Sequence, residues 1–147
     1  MITVCSKIVL AYDGSELSKK ALKFAISFLK QDPGIELDVI TVVNMRDIVH
    51  HSGITLIDIG YLRQEFMLSA QAELQLVEEE LRSLPNPVKT LPLEGNPGKT
   101  IVEYAAEQQA DIVIMGSRGH SGLKELFLGS ASHHVAQHAS CPVLIVK

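Results

Sequence analysis

Short runs of aliphatic and β-branched residues alternate along this chain with longer segments in which apolar residues recur every three or four positions. The short runs are typical of buried strands and cover residues 7–12, 36–43, 88–93, 111–116 and 142–146. The longest helical series is Leu62, Phe66, Ala70, Leu74, Val77 and Leu81. Residues 44–60 show no clean period and contain two glycines, so we expect a long loop there.

Three further segments have the spacing of amphipathic helices. The first buries Leu17, Ala21, Phe24, Ala25 and Phe28, with lysines on the other side. The second begins at Asn96-Pro97, with Asn96 as the cap and Pro97 at the first helical position. The third runs from about residue 129 to residue 139, with Ala131, Val135 and Ala139 turned inward.

Strands separated by helices predict an α/β fold, a doubly wound parallel sheet with helices on both faces. A chain of 147 residues is the size of a single domain, which we assign to residues 1–147. Pro92 predicts an edge position for its strand. Such sheets bind ligands beyond the carboxyl ends of their strands. The loops at that edge are residues 13–15, 44–60, 94–97 and 116–128.

Composition narrows the classes of partner. The net charge is −4, and the 13 Lys and Arg residues form no basic cluster, so we expect no nucleic-acid partner. No apolar run approaches the roughly 18 residues of a membrane span, so we expect no membrane association. Cys5 and Cys141 form no CxxC pair, and the first residues lack the features of an export signal. We therefore expect a cytoplasmic protein.

The stretch EGNPGKT, residues 94–100, ends like a phosphate-binding P-loop. The full pattern GxxxxGK[ST] needs a glycine at position 93, which is Leu93 here, and Gly95 lies too close to Gly98 to wrap phosphates. We interpret the stretch as a strand-to-helix turn. If the chain binds a nucleotide, this motif does not hold its phosphates.

A second glycine-bearing loop, GSRGHSGLKELFLGSAS at residues 116–132, offers an anion site. Gly116 and Gly119 leave backbone N–H groups uncovered, and a helix beginning near Gly129 presents unpaired N–H groups and a partial positive charge. Hydroxyl groups at 130 and 132, and side chains at 118, 120 and 124, add polar contacts. The alternative is an ordinary strand–loop–helix connection, and the spacing alone does not decide between the two.

The pattern Gly-x2-Gly-x9-Gly-[Ser/Thr], met by Gly116, Gly119, Gly129 and Ser130, resembles the nucleotide-binding signature of the universal stress protein family. The resemblance extends over nearly the whole chain. IVLAYDGSELSKKAL resembles the first strand and helix of that family. GNPGKTIVEYAAEQQADIVIMGSRG resembles its fourth strand with the preceding helix, and LGSASHHVAQHASCPVLIV resembles its closing segment.

The resemblance implies a five-stranded sheet of order 3-2-1-4-5 that binds ATP, with Mg²⁺, at its carboxyl edge. Asp13 is then a candidate contact for Mg²⁺-ATP, although it also suits a helix cap. Many relatives carry proline where this chain has Ala11, which implies a looser turn beside the adenine. The implied nucleotide-binding residues are Ala11, Asp13, Val42, Met115, Gly116, Arg118, Gly119, His120, Gly129, Ser130, Ala131 and Ser132.

These expectations describe an ATP-binding protein that acts in stress response or signalling. We assign it no catalytic residue. The alternatives are a weak ATP hydrolase or adenylyl-transfer enzyme, and an interaction module that binds no nucleotide. His134 and His138 lie one helical turn apart, but no third ligand is spaced to complete a metal site. The apolar strand Val143–Val146 and the family resemblance predict a homodimer.

Overall fold

The computed structural model describes residues 5–52, 58–119 and 128–147. The elements within these ranges are β1 (Lys7–Ala11), α1 (Glu16–Leu29), β2 (Glu36–Val43), α2 (Met45–Ser52), α3 (Ile59–Leu81), β3 (Val88–Glu94), α4 (Pro97–Glu107), β4 (Ile112–Gly116), α5 (Ser130–His138) and β5 (Val143–Val146). Among them, no helix has both the length and the hydropathy that a membrane span requires.

The five strands form one parallel sheet of order β3-β2-β1-β4-β5, which confirms the predicted fold and the edge position of the strand that contains Pro92. Helices α1 and α3 cover one face, where Leu22 and Leu74 join Leu10 in one buried cluster. Helices α4 and α5 cover the other face, where Ile101 and Val135 join a second buried cluster. The helices that follow β1 and β4 therefore lie on opposite faces, so the winding of the sheet reverses between these two strands.

Two predicted core aromatics lie at the margin of their helices. The side chains of Phe24 and Phe66 are 45% and 39% exposed, so the prediction that they face the core was wrong. In α1 the inward positions are filled by Leu22 and Leu29 together with small alanines, which leaves Phe24 on the flank. The helical spacing was right, but the assigned face was rotated.

The prediction of a loop over residues 44–60 was wrong for its first part, because residues Met45–Ser52 form α2. Met45 is buried and packs with Val43 and Ala70 in a small separate cluster, and Ile48 packs against its edge. This tertiary contact holds a helix that is too short to show a period in the sequence. Residues 53–57 lie outside the described residues, and α3 begins at Ile59.

A buried polar network stabilises the amino-terminal end of the sheet. Asp38 on β2 is only 3% exposed, and its Oδ2 accepts a hydrogen bond of 2.7 Å from the Tyr104 hydroxyl on α4. Lys7 Nζ lies 3.4 Å from the same oxygen. A buried carboxylate needs such partners, because leaving one of its hydrogen bonds unmade costs free energy. Burial, and then the bond to Asp38, raise the pKa of Tyr104.

We predict that Tyr104→Phe lowers the free energy of unfolding by about 1–3 kcal/mol, because it removes a hydrogen bond to a buried charge. The matched control is Tyr61→Phe, since the Tyr61 side chain is 66% exposed, and this change should leave the stability close to wild type. Urea denaturation measures both. Because the pKa of Tyr104 is raised, its protonated and hydrogen-bonded hydroxyl stabilises the fold fully below pH about 10. This contribution to the free energy of unfolding is lost as the pH rises further. A wild-type protein no more sensitive to alkali than Tyr104→Phe would contradict this assignment.

Candidate functional site

A cavity of about 710 Å³ opens at the carboxyl edge of the sheet, where β1 and β4 lie side by side and the winding reverses. This is the position at which open α/β sheets bind ligands. The turns after β1, β2, β3 and β4 all contribute to its wall. The cavity therefore lies where the sequence predicted a site.

Most of the residues predicted to bind nucleotide lie together around this cavity, and His120 falls outside the described residues. Their grouping is observed, whereas their contact with a nucleotide stays a prediction. The predicted residues that line the cavity are Ala11, Asp13, Val42, Met115, Gly116, Arg118, Gly119, Gly129, Ser130, Ala131 and Ser132.

Part of the wall is apolar. Ile40, Val42, Met115 and Ile101 line the cavity and belong to the hydrophobic cluster beneath α4 and α5. The turn after β4 and the first turn of α5 supply the polar part, which includes the half-buried Arg118. A molecule with one flat apolar end and one anionic end matches this division.

Two glycines bring the end of β4 and the turn after it into close contact with the start of α1 and the turn before it. A Cβ added at Gly116 would lie 2.9 Å from Leu17 Cβ and 3.0 Å from the Leu17 backbone carbon. A Cβ added at Gly119 would lie 2.5 Å from Asp13 Oδ2. Gly116 is therefore required by packing, because a side chain there would meet backbone atoms of α1, whereas a side chain at Gly119 would meet only the end of the Asp13 side chain.

Asp13 organises the turn that begins α1. Its Oδ1 accepts a 2.9 Å hydrogen bond from the Ser15 N–H, and Ser15 Oγ in turn accepts a 3.3 Å bond from the Ser18 N–H. Ser15 is therefore the helix cap, and the interpretation of Asp13 itself as the cap was wrong. Asp13 supports the cap from the preceding turn and lines the cavity at the same time.

The amino-terminal end of α5 is fixed to the end of β4 through one carbonyl. Ser117 O accepts 2.7 Å hydrogen bonds from both the Gly129 N–H and the Ser132 hydroxyl. Ser132 is 2% exposed and thus donates its proton within the protein. The first intrahelical bond runs from the His133 N–H to Gly129 O, so the N–H groups of residues 130–132 precede the helical ladder. These groups are the donors that α5 offers to the cavity.

The first turn of α4 lines the same cavity, although sequence reasoning assigned it no binding residue. Asn96 Oδ1 accepts a 3.1 Å bond from the Lys99 N–H, which confirms Asn96 as the cap. A Cβ added at Gly98 would lie 2.8 Å from His134 Cβ, so the first turn of α4 touches α5. The sequence signal for Asn96 was its place among the carboxyl-edge loops. Gly98 and His134 had no such signal, because only packing brings them together.

Lys99, the lysine of the GKT stretch, is exposed, and its Nζ lies 3.9 Å from Glu103 Oε1. It does not line the cavity, whereas Gly98 beside it does. His134 and His138 stack with ring centroids 4.2 Å apart, and the part of the chain that the structure describes contains no cluster of three or more metal-ligating side chains.

Comparison with known proteins shows which family has this sequence and architecture. Residues 5–147 match the family described as the universal stress protein family. The chain belongs to the universal stress protein family. It is 35% identical to universal stress protein YxiE of Bacillus subtilis over 97% of this chain and 99% of that protein.

Two solved structures show the same fold. MJ0577 of Methanocaldococcus jannaschii superposes with a TM-score of 0.87 at 30% identity, over 99% of this chain and 97% of that one. A universal stress protein family protein from Arabidopsis thaliana, solved with AMP bound, superposes with a TM-score of 0.72 over 97% of this chain and 91% of that one. At 18% identity, the second likeness concerns the fold alone.

We predict that Gly116→Ala lowers the free energy of unfolding by about 1–3 kcal/mol, because the new methyl group meets backbone atoms of α1 that have no room to move. Gly60→Ala is the control. Nothing lies within 4 Å of a Cβ at this helical position, so alanine should leave the stability unchanged or raise it by up to about 1 kcal/mol. Guanidinium denaturation compares the two, and equal effects would show that the two turns are not in tight contact.

Proposed function

We propose that this universal stress protein binds ATP in the carboxyl-edge cavity, and that the bound nucleotide acts as a ligand in a stress-response or signalling role. The observation that carries the proposal is the meeting of three features in one cavity. These features are an apolar wall, a glycine turn bearing Arg118, and the amino-terminal turn of α5.

The phosphates are expected at the β4–α5 side. The N–H groups of residues 130–132 and the positive end of the helix dipole attract anions. Arg118 adds a positive charge with planar donor geometry that suits phosphate oxygens. This arrangement requires no lysine patch, which agrees with the scattered basic residues of the chain.

The base is expected at the apolar side. Ile40 and Val42 lie on β2, which is separated from β4 by β1 alone. Neighbouring strands lie about 4.8 Å apart, so β2 and β4 are separated by roughly 10 Å. A nucleotide with its phosphates at α5 therefore spans β1 and brings its base to Val42. The Arabidopsis protein that shares this fold was solved with AMP bound, so the fold can hold an adenine nucleotide.

We further propose that Mg²⁺ accompanies the triphosphate. Asp13 and Asp47 both line the cavity and would repel an anionic ligand that arrived without a counterion. Magnesium is commonly bound by one or two carboxylates together with substrate phosphates, and Asp13 is the candidate protein contact. The cation supplies charge neutralisation, while the residues of the chain supply the position.

A nucleotide in this place would connect the turns after β1, β3 and β4. A ligand present at a hundred times its dissociation constant stabilises the native state by about 2.7 kcal/mol. That is enough to stabilise these turns in one arrangement and to alter the surface they present. We propose that the protein acts in the cytoplasm, because the free thiols of Cys5 and Cys141 are stable in a reducing compartment.

We predict that Arg118→Gln weakens Mg²⁺-ATP binding about tenfold or more, because it removes a charge-assisted contact to phosphate. Lys99→Gln removes one positive charge from the neighbouring GKT stretch and should change the dissociation constant less than about twofold. Isothermal titration calorimetry on nucleotide-free protein measures both, with an EDTA series that should weaken binding further. A larger effect at Lys99, or no heat with any adenine nucleotide, would contradict the proposal.

We also propose that the protein forms a homodimer through β5. Pro142 and Val146 direct their carbonyl groups to β4, where they accept hydrogen bonds. Backbone groups alternate in direction along a strand, so Val143 and Ile145 direct theirs to the outer edge. An unpaired edge of apolar residues favours association with a second strand.

Ile145→Pro should abolish the dimer, because it removes an outward N–H while it leaves the ladder to β4 intact. Sedimentation should give twice the 16.1 kDa mass for the wild type and for the control Ile145→Val, and 16.1 kDa for the proline variant. A wild-type monomer at micromolar concentration would refute the dimer.

A further inference from the structure

His134 lines the candidate nucleotide cavity, although the glycine signature ends at Ser130 and does not include it. It lies four residues after Ser130, so both side chains project from the same face of α5, one helical turn of about 5.4 Å apart. His133 beside it is exposed and does not line the cavity. A phosphate group at the N–H groups that begin α5 would therefore lie within reach of the His134 ring.

Two neighbours fix the position of the His134 side chain. A Cβ added at Gly98 would lie 2.8 Å from its Cβ, 3.0 Å from its Cγ and 3.1 Å from its Cδ2, so a larger residue at 98 would displace the ring. The ring of His138 stacks on that of His134 with centroids 4.2 Å apart. His138 Nδ1 lies 2.9 Å from His134 O, and because a carbonyl only accepts, this nitrogen carries the proton.

The ring nitrogens of His134 make no hydrogen bond or ion pair within residues 5–52, 58–119 and 128–147. The side chain is half-buried, so the ring is held in place while its nitrogens are available to a ligand. A histidine without perturbing neighbours titrates near pH 6.5. In the protonated form both nitrogens donate, and the ring carries a positive charge. This chemistry suits an anionic group such as a phosphate.

Charged groups of both signs surround His134. The titratable neighbours on α5 are His133 and His138, whereas β4 and β5 contribute no titratable side chain. The charged groups in the first two turns of α4 and across the cavity are the cations Lys99 and Arg118 and the carboxylates Glu103, Asp13 and Asp47. A triphosphate beside His134 would add further negative charge. A nearby opposite charge favours the protonated imidazole.

We propose that His134 is a phosphate-binding residue of this site and that it holds Mg²⁺-ATP in its protonated form. The inference rests on the proposed nucleotide site and adds a residue to it. On binding, a proton moves from solvent to the imidazole, because the phosphates favour the charged ring. The affinity for the nucleotide should therefore rise as the pH falls through about 6.5, and this contribution is lost at higher pH.

The wild-type protein supplies the first test. Calorimetric titration with Mg²⁺-ATP at pH 7, in buffers of different ionisation enthalpy, measures proton uptake, and we expect about half a proton per nucleotide. The dissociation constant should be about five- to tenfold lower at pH 5.5 than at pH 8. Binding without proton uptake would overturn the inference while leaving the nucleotide site intact. If no adenine nucleotide binds, the proposed function fails, and this inference fails with it.

His134→Gln supplies the second test, because it keeps a polar side chain and removes the titratable charge. Proton uptake should disappear, and the dissociation constant should rise about five- to tenfold at pH 5.5 but less than about twofold at pH 8. His133→Gln removes an exposed histidine from the adjacent position and should keep the wild-type pH dependence. Unchanged proton uptake in His134→Gln, or equal losses in both variants, would overturn the inference.

Discussion

Gly116 and Gly119 let the end of β4 and the turn after it approach the start of α1 and the turn before it, and the cavity is built around that approach. A side chain at 116 would collide with Leu17, and one at 119 would reach the Asp13 carboxylate. With both glycines in place, Asp13 and Arg118 line the same cavity from the turns after two different strands. The reversal of winding between β1 and β4 then opens the space, because the helices that follow these strands lie on opposite faces.

The two ends of the sheet are used differently. At the amino end the polar groups bind one another: Asp38 accepts from Tyr104, and Asp111 Oδ2 accepts from the backbone N–H groups of Ser6 and Lys7 at 2.8 and 2.9 Å. These bonds hold the pKa of Asp111 below its ordinary value. At the carboxyl end, helix-terminal N–H groups and carboxylates surround an open cavity. The polar groups named at the amino end thus bind within the protein, whereas the cavity opens at the carboxyl end.

The sequence predicted the fold because each buried strand is a run of aliphatic residues and each long helix repeats its apolar face several times. About half of the residues that line the cavity were also predicted, but through the family resemblance that the glycine pattern carries, because the spacing of the glycines alone left the anion site undecided. Helix α2 was missed because Met45 gains its burial from Ala70, far along the chain. Gly98 and His134 were missed for the same reason, because their contact exists only after α4 and α5 pack. Phe24 shows that the spacing of apolar residues predicts the presence of a helix more reliably than it predicts which face of that helix is buried.

The most direct measurement is a crystal structure of the protein with Mg²⁺ and a non-hydrolysable ATP analogue. The account predicts phosphate density within hydrogen-bonding distance of the N–H groups that begin α5 and of Arg118, with the base against Val42. A nucleotide bound outside this cavity, or one lying with its phosphates at β2 and its base at α5, would contradict it. A cavity filled by the protein's own side chains would contradict it equally.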